Sequence, residues 1–185
     1  MANVDAPNGL KPVRHLTGGV IRPSEWKIAS GLSTAIFTGD CVKLLSTGYI
    51  DECDAGDRIL GVFAGCSYVN SSGEQVFSRQ WTASTTTQGS ADVTAYVYSD
   101  PNIVFAVQSA GSADFADIGQ LADIVATAGD TNTGQSKHEI SGTTGTGTAG
   151  LRILGLYEEP NNAYATNGVL EVQIYEHELS FATGV

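Results

Sequence analysis

The sequence predicts an all-β fold: a compact barrel or jelly-roll-like sandwich with an extended N-terminal arm and at most one short helix. Three observations lead there. Small and polar residues are abundant, with 22 Gly, 18 Thr and 16 Ser among 185 residues, which suits turns and strand faces better than long helices. Charged residues make up 16%, below the roughly 25% of an average globular chain. Apolar residues reach 42% and fall in short stretches, several of them alternating with polar residues, between turn signals. The length fits one domain.

Residues 1–24 contain Pro7, Pro12 and Pro23 with Gly9, Gly18 and Gly19. Each proline fixes φ and removes a donor, so neither helix nor central strand is expected. The segment is predicted to be an extended arm ahead of a single β-rich domain over 25–185; at ~3.3 Å per residue it would reach roughly 80 Å. Strands are then expected near 25–30, 34–37, 41–45, 48–53, 58–68, 76–81, 93–98, 102–108, 137–140, 150–157 and 169–177. Ser46-Thr47-Gly48 and Ser71-Ser72-Gly73 punctuate them as turns. Between 112 and 125, Phe115, Ile118, Leu121 and Ile124 recur every third residue. With Asp114 as a cap, this predicts a short helix or 3₁₀ turn around 114–120, which Gly119 keeps from running longer. The Gly/Thr tract over 141–150 predicts a flexible exposed loop. Arg58-Ile59-Leu60-Gly61-Val62 is echoed by Arg152-Ile153-Leu154-Gly155-Leu156. The echo reads either as two similar core strands or as two related units with a glycine where backbones approach closely.

The formal net charge is −11. Lys11, Arg14, Arg22 and Lys27 outnumber Asp5 and Glu25 in the first 27 residues, so a mildly basic leader precedes an acidic body. Such an acidic chain is a poor match to nucleic acid, and no apolar run approaches the ~18 residues of a membrane span. The N-terminus has neither a basic nor an apolar leader region, which predicts a chain made without secretion. Cys41, Cys53 and Cys66 are odd in number and spaced unlike zinc ligands, so free, buried thiols are expected.

No catalytic, metal or cofactor constellation stands out, and no enzymatic activity is expected. His15, His138 and His177 are far apart in sequence, and Glu176 and Glu178 on a strand would point away from His177. Asp130-Thr131-Asn132-Thr133-Gly134 starts like a calcium loop, but Gln135 and Ser141 stand where that loop needs Gly and Glu, which favours a polar turn. Asp51, Glu52, Asp54 and Asp57 form an acidic group: a solvated loop, or a seat for a divalent cation or a basic arm. Tyr96 and Tyr98 share one face of the 93–98 strand with Thr94, and this polar-tipped aromatic face suits a subunit contact.

The opening Met1-Ala-Asn-Val-Asp-Ala-Pro-Asn-Gly-Leu-Lys-Pro-Val-Arg-His15 resembles the start of a group of tailed-phage virion structural proteins. The similarity continues at Phe37-Thr-Gly-Asp40-Cys-Val-Lys-Leu44, at Ala55-Gly-Asp-Arg-Ile-Leu-Gly-Val62 and at Leu151-Arg-Ile-Leu-Gly-Leu-Tyr157. These proteins resemble capsid decoration or cement proteins, which sit outside the capsid shell. The resemblance implies a virion protein made in the host bacterial cytoplasm and carried on the capsid exterior. Its implied partner is the major capsid protein, whose subunits it would bridge, with no nucleic acid or membrane involved. It also implies a homo-oligomer, a trimer ahead of a dimer. On this reading Lys11, Pro12, Arg14 and Arg22 of the arm bind the capsid, with Trp26 as a buried pin. The alternative is a tail or head-fibre host-recognition module that binds glycans through exposed Tyr and Trp.

Overall fold

The computed structural model describes residues 3–145, 147 and 149–180. In chain order the strands are β1 (Lys11–His15), β2 (Ser24–Ile28), β3 (Ile36–Phe37), β4 (Cys41–Leu44), β5 (Ile50–Glu52), β6 (Gly61–Val69), β7 (Gln75–Ser78) and β8 (Gln80–Trp81). They continue as β9 (Val93–Tyr98), β10 (Ile103–Gln108), β11 (Leu121–Ala122), β12 (Ile124–Val125), β13 (Glu139–Ile140), β14 (Leu151–Leu156) and β15 (Val169–Ile174). Three 3₁₀ turns complete the described structure: Gln88–Ser90, Phe115–Asp117 and Glu178–Ser180.

Two antiparallel sheets dominate. The first has five strands in the order β1-β10-β15-β14-β11. The second has six, in the order β2-β9-β6-β4-β5, with β7 also paired to β6. Short pairs β3–β8 and β12–β13 flank them. The arrangement is sandwich-like and not a closed barrel, because β1 and β11 end the first sheet and pair with no strand of the second.

Strand alternation explains the two cores. On β4, Cys41 enters one core and Val42 the other; on β6, Val62 and Phe63 divide the same way. Successive side chains point to opposite faces of a strand, so the second sheet is buried on both sides along these strands. Its one face meets Phe105, Val107, Ile153, Leu170 and Val172 of the first sheet. Its other face packs Val42, Phe63, Ala95 and Val97 with Ile36 and Trp81 of the β3–β8 pair.

The leading segment differs from the expected free arm. Its backbone is extended, but β1 pairs with β10 from Lys11↔Ala106 to His15↔Ile103, and Leu10 is 2% exposed within the first core. Pro12 is tolerated because β1 is an edge strand whose register shifts between Pro12 and Arg14, so the missing donor breaks no second ladder. Closer to the N-terminus, two side-chain amides stand in for strand partners. Gln108 donates from Nε2 to Val4 O (2.8 Å) and accepts the Ala6 N–H at Oε1 (3.0 Å). Asn3 donates to Ala163 O and accepts the Ala163 N–H.

The turn expected around 114–120 is the 3₁₀ turn Phe115–Asp117, where the Asp117 carboxylate accepts the Asp114 N–H at 2.7 Å. The Gly/Thr tract is tied down more than expected of a free loop. Gly145 and Leu121 exchange both backbone hydrogen bonds at 2.9 Å, and Gly150 donates to Asp123; residues 146 and 148 lie outside the described residues. Asp130–Gly134 is a turn in which Asp130 accepts the Asn132 N–H. The sequence echo separates into two cases. A Cβ on Gly61 would collide with the Tyr98 carbonyl, whereas one on Gly155 would meet open space.

Candidate functional site

The one cluster of potential metal-ligating side chains among the described residues is Asp40, Glu52 and His138. Asp40 sits on the turn entering β4, Glu52 ends β5, and His138 leads into β13. The turn is shaped locally: Gly39 takes φ +102° and Asp40 Oδ2 accepts the Phe37 N–H at 2.6 Å. His138 is fully buried, and its Nδ1 accepts the Cys41 N–H at 3.3 Å. The ring's own proton therefore sits on Nε2. From there it is donated to Glu52 Oε1 at 3.0 Å, while Asp40 Oδ1 lies 3.4 Å from Nε2, near enough for charge attraction but outside that hydrogen bond.

Burial pushes the Asp40 carboxyl up to about 6, opposed by attraction to His138 and by hydrogen bonds from Ser136 and Phe37. The three ligand atoms lie within 4.8 Å of one another, close enough for a divalent ion. The donor set does not fit one. A metal on Nε2 would require the ring proton to move to Nδ1, directly opposite the Cys41 N–H, whereas a ligating histidine normally donates from its second nitrogen. The cluster is a hydrogen-bonded cross-link between the β4–β5 hairpin and the β13 segment. Sequence reading missed it because Glu52 and His138 are 86 positions apart and no local spacing marks them. The acidic group that included Glu52 is divided: Asp57 instead pairs with Lys43 at 2.7 Å and accepts the Asp54 N–H.

The residues expected to bind the capsid fall on the outermost strands. Lys11, Pro12 and Arg14 lie on β1, Arg22 on the link to β2, and Trp26 on β2 at the edge of the second sheet. Arg14 is engaged at home, donating from Nε and Nη2 to Glu171 Oε2 at 3.0 and 2.6 Å. Trp26 is half-buried against the second core and donates to Ser99 Oγ at 3.3 Å. Lys11 and Arg22 are exposed and make no side-chain hydrogen bond or ion pair among the described residues. His15 closes the turn between the two edges: it pairs with Asp100 at 3.1 Å, and its Nδ1 accepts the Gly19 N–H.

Thr94, Tyr96 and Tyr98 do share a half-buried face of β9, opposite the buried Val93, Ala95 and Val97. Tyr98 packs onto the first core, and the Tyr96 hydroxyl contacts Ser67 Oγ at 3.2 Å. The cross-strand row Lys27–Thr94–Ser67–Phe77 lies beside Tyr96, and Phe77 is 75% exposed. No helix among the described residues is long and apolar enough to cross a membrane. No protein-family model, curated protein or solved structure matches the chain.

Proposed function

We propose that the chain is a phage capsid decoration protein that binds the outside of the head and bridges major capsid protein subunits. The observation that carries this reading is the basic rim. Residues 11–28 supply one edge strand of each main sheet, and on that rim Lys11 and Arg22 are exposed and have no side-chain partner among the described residues on a chain of net charge −11. Exposed cations at the rim of an acidic body steer docking onto an acidic partner. The resemblance motifs support the fold side of the reading. Phe37, Cys41, Val42, Ile59, Leu60, Val62, Leu151 and Ile153 are all core residues, so these motifs build the sandwich. A symmetric homo-oligomer, a trimer ahead of a dimer, belongs to the same proposal, with Tyr96 and Phe77 at the contact.

Removing residues 2–24 would not test this, because it deletes β1 and the core residue Leu10. The direct test is co-sedimentation of the full chain with heads stripped of it. Lys11→Glu combined with Arg22→Glu should weaken binding by at least about tenfold at low salt, and less at high salt. Equal binding by both proteins would remove the rim from the mechanism. Density confined to the tail in a virion reconstruction would overturn the decoration reading.

A further inference from the structure

We infer that copies of this chain associate head to tail, the β1–β2 connection of one seating against the Phe115–Ile118 turn of the next. The two surfaces lie at opposite edges of one sheet. In the order β1-β10-β15-β14-β11, the connection over 16–23 leaves β1 at one edge, and the turn over 114–120 leads into β11 at the other. Four strand spacings separate these edges, roughly 19 Å.

Both surfaces are apolar, and they differ in charge. The connection exposes Leu16 and Val20, the latter 78% accessible, and carries Arg22, which is exposed and has no side-chain partner among the described residues. The turn exposes Phe115, 69% accessible, and Ile118, with Asp114 and Asp117 alongside. No Lys or Arg occurs between Arg79 and Lys137, so the turn has no cation of its own, and Arg152 on the neighbouring β14 lies over the Tyr175 ring at 4.4 Å. Grouped exposed apolar side chains mark contact sites, and the charge beside them sets which surfaces meet. Two connections, or two turns, would bring like charges together. A connection and a turn bring opposite charges together, and because they sit on opposite edges, the match is made between copies. That is a heterologous contact, which closes into a ring when the rotation between copies allows and otherwise extends as a chain.

Both surfaces are fixed in advance. His15 Nδ1 accepts the Thr17 and Gly19 N–H groups at 3.3 and 3.1 Å, and Nε2 pairs with Asp100 at 3.1 Å. Across the sheet, the Asp117 carboxylate accepts the Asp114 N–H at 2.7 Å and the Thr144 hydroxyl at 2.9 Å. Phe115 stands edge-on to the Tyr164 ring, with centroids 5.8 Å apart. Little ordering is left to be done on contact, which favours binding. Surfaces of this size bury less than about 1,200 Å², in the class of weak encounters. The contact uses neither Tyr96 nor Phe77, and it does not rest on the capsid reading.

The test is sedimentation velocity of the isolated full chain and two variants, Val20→Asp and Phe115→Asp, each first checked for a native melting temperature. Ile118→Asp replaces Phe115→Asp if losing the Tyr164 contact lowers that temperature. Arg22 stays unchanged, because the capsid reading also draws on it. The wild type should associate with a dissociation constant on the order of 100 μM, and more weakly at high salt. Each variant alone should associate at least about tenfold more weakly. Mixed, the two should recover the wild-type affinity, because one retains the connection and the other the turn. The product should stop at a pair, since the remaining connection and turn both carry the introduced carboxylate. A wild type that stays monomeric at about 1 mM overturns the inference. Variants that associate as the wild type does, or a mixture that fails to pair, overturn it as well.

Discussion

Two buried residues set opposite pH slopes. Asp40 has its carboxyl pushed up to about 6 from 3.8 by burial. His177, buried beside the 3₁₀ turn Glu178–Ser180, is pulled down to about 4 from 6.5, again by burial. Between about 4 and 6 the folded chain keeps a proton on Asp40 that the unfolded chain has released, so Asp40 makes stability fall as pH rises. Between about 4 and 6.5 the unfolded chain keeps a proton on His177 that the folded chain lacks, so His177 makes stability rise. Each effect amounts to about 3 kcal/mol at 1.36 kcal/mol per unit, and they nearly cancel in the native sequence. Asp40→Asn should therefore gain about 3 kcal/mol of stability between pH 4 and 6.5, and His177→Asn should lose a similar amount. Urea midpoints measured across that window would show the two slopes diverge; parallel profiles would refute the pairing.

At the scale of the element, the two echoed glycines provide a matched test. Gly61→Ala drives a methyl group into the backbone of β9 and should cost about 2–4 kcal/mol. Gly155→Ala meets no atom within 4 Å and should change stability by less than about 0.5 kcal/mol. Thermal unfolding of the two variants separates these outcomes. The pentapeptides alone did not distinguish them, because the collision depends on β9, more than 30 positions from Gly61. Local alternation was legible: the strand over 93–98 has the expected bounds, and 41–45, 102–108 and 150–157 each shorten by one or two residues. Three strands were not foreseen. β1 was hidden by Pro12, which is excluded only from central strands, and edge position is a tertiary fact. β11 and β12 were hidden because Leu121 and Ile124 follow the period of Phe115 and Ile118, although the first two are buried and the last two exposed. For the same reason Lys11 and Arg22 were recognisable as a basic leader, while Arg14's tie to Glu171 was not.

Across the whole molecule, the cysteines report on both cores at once. Cys41 and Cys53 lie in the first core and Cys66 in the second. Burial pushes the Cys66 thiol up to about 12 and holds Cys41 and Cys53 well above the ordinary range. The thiolate is the reactive form, so the native protein should resist a disulfide-exchange reagent. In urea all three should label at one rate that follows the loss of β signal, because the second sheet contributes to both cores and couples them. Labelling of Cys66 ahead of the other two, followed by mass spectrometry, would show that the cores open separately.

The sheet order also fixes a timetable for synthesis. Every strand of the second sheet has been made by Tyr98, whereas β15, central in the first sheet, is the last strand among the described residues. β1 waits for β10, nearly 90 residues later, a delay on the order of ten seconds at ribosomal rates. A nascent chain halted near residue 160 would carry the second sheet's strands complete, and β14 and β11 would have no neighbour to join them to β10. Such a chain should be cut by protease in its later half while residues 24–98 survive, and extending it through β15 should close that vulnerability in one step.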